Sequence, residues 1–191
     1  MDSQIVKAQE IIDLLADENA DRRPAKTRIS AEATADAIVS AMRQAQAPKT
    51  RQILCDIAAT RRVTEAVPEL LAALNDPVSA LRGAAADALA VLGDPIIGPA
   101  LLGHFRSELD PDVRTLLAVA LGAVGYRAAI PDLISALDDP QRALQIEAAR
   151  SLGELRATEA REQIARVLSR QTTDWSRRLM EEALANLDRS C

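Results

Sequence analysis

One segment of this chain is repeated, and the repeat constrains the fold more than any other feature. Ala66-Val67-Pro68-Glu69-Leu70-Leu71-Ala72-Ala73-Leu74 returns as Ala129-Ile130-Pro131-Asp132-Leu133-Ile134-Ser135-Ala136-Leu137. A looser copy, Ile97-Gly98-Pro99-Ala100-Leu101-Leu102, lies between them. Pro68, Pro99 and Pro131 are thus about 31 and 32 residues apart, a period that marks stacked helical pairs. A second motif follows each copy: Leu81-Arg82-Gly83-Ala84-Ala85-Ala86-Asp87-Ala88-Leu89, then Val113–Leu121, then Leu144–Leu152. Extended both ways, the register aligns Arg51, Arg82, Arg114, Gln145 and Arg177. Leu54, Ala85, Leu117, Ala148 and Met180 then form one core row, and Ala58, Leu89, Leu121, Leu152 and Leu184 another.

Each unit reads as helix A, a turn and helix B. Proline in the first turn of A costs nothing, because that N–H has no helical partner anyway. The turns carry Asn75-Asp76-Pro77, Asp110-Pro111-Asp112 and Asp138-Asp139-Pro140, which break one helix and cap the next. Gly93, Gly125 and Gly153 fall at or near the ends of B, as C-caps or close-packing sites. The A helices are expected near 31–46, 65–74, 97–109, 129–137 and 159–169, and the B helices near 49–61, 79–92, 112–124, 142–155 and 175–187. Composition agrees. Aromatics are 2% of the 191 residues, and alanine is roughly a fifth, far above ordinary usage. Such a core is built from Leu, Ile, Val and closely approaching Ala, which favours helix on helix.

The pattern Pro–x–Leu–(Leu/Ile)–x–x–Leu, Asp–Pro, (Leu/Val)–Arg–x–x–Ala–Ala–x–Ala–Leu–Gly resembles the HEAT repeat. More closely, it is similar to the short bacterial HEAT-like variety found in phycobilisome lyases. The resemblance covers about residues 31–188. It implies an all-α right-handed solenoid of about five pairs with an N-terminal cap helix, and it implies a protein-binding scaffold. It also implies that Arg82 and Arg114 join inter-repeat ladders with acidic residues of the preceding turns, a pattern from which Gln145 departs. The expected organisation is an amphipathic helix over 1–18, a charged linker over 19–29 and the solenoid over 30–191. The basic linker, with Arg22, Arg23, Lys26 and Arg28, reads either as a solvated connection or as part of a detachable arm.

Chemistry is hard to assemble from this composition. His104 is the single histidine, so no histidine metal set can form, and the two cysteines, Cys55 and Cys191, have no ligand spacing. Glycine pairs fit no phosphate-cradling pattern, and Asp138/Asp139 and Glu181/Glu182 are sequence neighbours that diverge or cap. No catalytic residue, cofactor or metal is expected. Unpaired thiols, the absence of a long apolar run and an N-terminus unlike a signal peptide suggest a cytoplasmic protein.

The informative surface is the exposed face of the B helices, which lines the inner curve in the family resembled. Its positions are Ile53, Asp56 and Thr60; Ala84, Asp87 and Val91; Leu116, Val119 and Ala123; Glu147, Arg150 and Glu154; Leu179, Glu182 and Asn186. A solvated helix should be polar along this row, yet helix 112–124 is apolar nearly all round. Leu116, Val119, Ala123, Ala84 and Val91 are therefore expected to form a central apolar protein-binding patch, with Asp56, Asp87, Glu147 and Arg150 at its rim. Two alternatives stay open: a phase one residue off, which puts these side chains in the core, or cover by the N-terminal helix. Trp175 reads as an interface anchor or as a plug for the open end of the last pair. Acidic side chains outnumber basic ones on the row, which argues against nucleic acid. No membrane contact is expected, and a second copy of the chain is an eligible partner. A different reading, from the family resemblance alone, is a bilin lyase or lyase-like subunit acting on a phycobiliprotein-type partner. The row, however, has few of the aromatic and basic groups that tetrapyrrole carboxylates call for.

Overall fold

The computed structural model describes residues 2–16 and 21–187, with side chains from Ala8 onward. Cys191 lies outside the described residues. Among those described there are twelve α-helices and no strand. The chain divides into two compact units, Met1–Leu92 and Gly93–Cys191.

The first unit contains α1 (Asp2–Ala16), α2 (Arg23–Glu32), α3 (Ala35–Gln44), α4 (Pro48–Thr60), α5 (Val67–Ala73) and α6 (Ser79–Leu92). α3–α4 and α5–α6 are the first two pairs; α1 packs on α3, α2 on α4, and α4 on α6. The second unit contains α7 (Gly98–Ser107), α8 (Pro111–Ala123), α9 (Ile130–Ala136), α10 (Arg142–Glu154), α11 (Arg161–Leu168) and α12 (Asp174–Leu187). Each A helix packs on its own B helix, and α10 is sandwiched between α8 and α12. Every A helix from α5 onward is entered through a single 3-10 turn. Val67, Gly98 and Ile130 open these helices, and Pro68, Pro99 and Pro131 occupy the expected first-turn positions.

The core rows take their places except at Leu184, which is half-buried while Ala183 beside it is buried. Leu54, Ala85, Leu117, Ala148 and Met180 are all 0% exposed, as are Ala58, Leu89, Leu121 and Leu152. The B helices end where the register says they should. Arg62, Gly93, Gly125 and Arg156 all have positive φ, at 52°, 68°, 69° and 51°. They sit at the same repeat position, where the chain turns back through the left-handed region that usually selects glycine. Gly153 is not one of these caps. It lies inside α10, where an added Cβ would stand 2.9 Å from the carbonyl oxygen of Ala183 on α12. Gly153 is therefore a close-packing site.

Of the expected linker over 19–29, residues 19 and 20 lie outside the described residues, and from Arg23 the chain is helical. Proline occupies the first turn, Asp21 accepts from the Arg23 amide at 3.1 Å, and nothing from Ala25 to Glu32 breaks a helix. Only Ile29 is buried in α2, so the segment shows no apolar period and its sequence reads as solvated. α2 is tied down by polar contacts instead: Lys26 to Asp56 of α4, Arg28 to Glu10 of α1, and Arg61, just after α4, to the Ala33 carbonyl.

At Arg114 the arginine ladder differs from what the family resemblance implies. Arg114 pairs with Asp139 of the following turn at 2.8 Å, and Arg51 likewise pairs with Asp76. Arg82 donates to the carbonyls of Asp76 and Pro77 in its own turn, at 3.0 and 3.3 Å. Gln145 does the same, donating to the Asp139 carbonyl at 2.7 Å. Glutamine suffices there because the acceptor is a neutral carbonyl, which asks only for an N–H.

Candidate protein-binding face

The outward B-helix positions are displaced around each helix from the core rows, and the structure leaves all nine expected binding residues outside the buried set. In the first unit, Ala84 is half-buried, Asp87 is exposed and Val91 is 41% exposed. On the neighbouring α4, Ile53 is half-buried and Asp56 is exposed. Asp56 is the row carboxylate already satisfied by a lysine, Lys26.

In the second unit, α8 places Leu116 and Val119 half-buried and Ala123 exposed, while Leu117 and Leu121 beside them are fully buried. Next to them, α10 carries a charged knot. Arg150 donates through Nε to Glu147 at 2.7 Å and through Nη1 to Glu154 at 3.0 Å. The i, i+3 and i, i+4 spacings put all three on one face of α10. The Glu154 carboxylate reaches across to α8, where a Cβ on Gly122 would meet its Oε2 at 2.7 Å. Burial raises the Glu154 carboxyl above its ordinary value; Arg150 pulls it down and Glu147 pushes it further up. For Arg150 the balance is reversed: burial lowers it, but Glu147, Glu154 and Glu182 outweigh burial and hold the guanidinium charged. Glu182 on α12 is exposed, and Leu179 and Asn186 are half-buried. Trp175, in the first turn of α12, is 65% exposed, so it does not plug the end of the last pair.

The remaining titratable candidates contribute no reactive group to this face. Cys55 is buried and its thiol is pushed up to about 12, by burial above all, so the nucleophilic thiolate is scarce. His104 is half-buried on α7, an A helix. Among the described residues, no three His, Cys, Asp or Glu side chains converge as a metal site, and no helix is long and apolar enough to cross a membrane. What the sequence reading missed is the placement of the Arg150–Glu154 pair against α8, with Arg150 half-buried. The i, i+4 charge spacing was visible, but the glycine opposite it, which lets the carboxylate lie on α8, emerges only when repeats are laid side by side.

The family description "HEAT repeats" matches residues 35–122 and again 98–185. The chain is a HEAT-repeat protein. No curated protein matches its sequence. Among solved structures, this HEAT-repeat chain is similar to one in the complex of CpcE and CpcF of phycocyanin lyase from Nostoc sp. PCC7120. The identity there is 23% and the TM-score 0.68, over 94% of this chain and 76% of that one. Two engineered proteins are also similar. One has 19% identity and a TM-score of 0.60, over 98% and 99% of the two chains. The other has 18% identity and a TM-score of 0.58, over 94% and 96%. At these identities the likeness is one of fold, an all-α solenoid of helical pairs.

Proposed function

We propose that this HEAT-repeat protein is a non-catalytic protein-binding scaffold, an adaptor, inhibitor or regulatory subunit, that engages its partner with the outward face of the B helices. The observation that carries this reading is the α8–α10 face, where Leu116, Val119 and Ala123 stand outside the core beside the Arg150 knot. Apolar side chains left at a surface and rimmed by charge are the usual composition of an interaction site. Glu147, Glu154 and Glu182 outnumber Arg150, and Asp56 already holds a lysine from α2. The partner surface that fits combines apolar side chains with lysine or arginine. Ala84, Asp87 and Val91 offer the same mixture on α6, and exposed Trp175 is suited to anchoring a partner. A second copy of the chain falls within this description; nucleic acid does not, because the row is acidic.

The test is the double variant Leu116→Glu, Val119→Glu, used as bait in the native cell extract beside the unaltered protein. Partner recovery should collapse while the circular dichroism spectrum stays helical. Equal recovery by both baits would sink the reading.

The likeness to the phycocyanin lyase complex favours a second reading, a lyase-like subunit acting on a bilin-carrying protein. Added bilin separates the two: a shifted chromophore absorbance supports the lyase reading, and an unchanged spectrum supports the scaffold.

A further inference from the structure

A small, partly open cavity of about 20 Å³ lies in the first unit, where the first two helical pairs meet. Its walls are Met42 of α3, Arg51 and Cys55 of α4, Glu69 and Ala73 of α5, and Leu81 of α6. Glu69 uses only one carboxylate oxygen within the protein: Oε1 accepts from Arg43 Nε. Its other oxygen, Oε2, is buried with no hydrogen-bond partner among the described residues. A carboxylate oxygen shut away from water and left unbonded is costly, more so than a neutral acceptor.

We propose that one water molecule occupies this cavity and bridges Glu69 Oε2 to the Arg51 guanidinium and the Cys55 thiol. The volume is right, since a single water needs roughly 10–15 Å³ measured this way, and a buried water typically makes about three hydrogen bonds. The chemistry also matches. Water donates to Glu69 Oε2. It accepts from a guanidinium N–H of Arg51, which has five N–H groups and commits Nη1 to Asp76. Its second proton or its remaining lone pair meets the Cys55 sulfur, a weak acceptor and donor. Met42, Ala73 and Leu81 close the apolar side. Empty cavities in proteins are apolar; this one has an ionisable carboxylate and a guanidinium in its wall. The water completes a polar seam across the junction that already contains Arg43–Glu69 and Arg51–Asp76.

Water–protein NOE spectroscopy on the full chain tests this. A long-lived internal water should give cross-peaks of macromolecular sign to the Ala73, Leu81 and Met42 methyl protons. Cys55→Ala should keep them, which removes the thiol as a source of exchange-relayed signal. Glu69→Gln should keep them, and Glu69→Met, of similar length but without an acceptor, should lose them. Absence of the cross-peaks in the unaltered protein overturns the proposal, as does their persistence in Glu69→Met. Should Glu69→Met fail to fold, the unaltered protein and Glu69→Gln still decide, because both must show the signal.

Discussion

Replacing Gly153 by alanine tests the closeness of the α10–α12 contact. The new Cβ would stand 2.9 Å from the Ala183 carbonyl oxygen, 3.0 Å from its Cα and 3.3 Å from its carbonyl carbon, all short of ordinary contact. These are main-chain atoms, so no side-chain rotation relieves the overlap, and one helix must move. Overpacking of this kind costs about 1–3 kcal/mol. Alanine offsets up to about 1 kcal/mol through helix propensity. Gly103→Ala supplies the reference, because Gly103 lies on α7 with nothing within 4 Å of its added Cβ. That variant should gain about 0.5–1 kcal/mol. The propensity terms largely cancel in the comparison, leaving the overlap. For a chain of this size, about 1 kcal/mol shifts Tm by roughly 2–4 °C, so Gly153→Ala should melt roughly 2–12 °C below Gly103→Ala. Thermal melts followed at 222 nm, with urea titrations beside them, measure the gap. Equal melting temperatures would refute the close approach of α12 to the α10 backbone.

Gly125→Ala should cost about 1–2 kcal/mol although its Cβ meets nothing, because φ there is +69° and the left-handed conformation penalises any Cβ; an unchanged melt would remove the cap argument. Cys55 should resist iodoacetamide in the native protein and react once urea is added, as peptide mapping reads out, since its thiol is pushed up to about 12; rapid native labelling would place the thiol at the surface. Asp132 is held below the ordinary carboxyl value, first by its hydrogen bond from Arg106. A depressed folded-state value means that the pair stabilises above 3.8, the unfolded reference, and that this contribution fades as pH falls through the lower folded value. The stability advantage over Asp132→Asn should therefore be constant at neutral pH and close in acid; a gap that widens in acid contradicts the sign.

The pair architecture was legible because two chemistries recur at one spacing, proline at the start of A and the Leu/Ala rows of B. Helix ends and the 0% exposed rows follow from them. What escaped was held by polar contacts between elements. α2 buries only Ile29 and is fixed by Lys26, Arg28 and the Arg61–Ala33 contact, and ion pairs between helices leave no period in the sequence. Arg62 and Arg156 escaped for a different reason. They occupy the left-handed cap position that Gly93 and Gly125 take in two other repeats, so residue type concealed what register alone would have shown. On the candidate face the row positions were readable, but the place of the Glu154 carboxylate against α8 depends on Gly122 of the neighbouring repeat. That is a property of two repeats together.

The separation of framework from face follows from the same geometry. Within each unit the first core row alternates in size, Leu54 then Ala85 in the first and Leu117, Ala148 then Met180 in the second, so bulky and small side chains come from successive B helices, which is how close-packed layers interdigitate. Polar bonds join the repeats on that framework as well: Ser151 Oγ donates to the Ala118 carbonyl at 2.9 Å between α10 and α8, and Arg114 and Arg51 fasten each to a following turn. Leu116, Val119, Asp87 and Trp175 take no part in these bonds. A repeat can therefore change its outward residues without altering the rows that stack it, and Leu116-Val119 on α8 beside Glu147-Arg150 on α10 illustrates such divergence between neighbours. α5 and α9 repeat nearly the same residues, whereas this row changes its chemistry from one pair to the next. Selection for stacking alone would leave it uniformly polar, as an exposed helix face is when only water meets it.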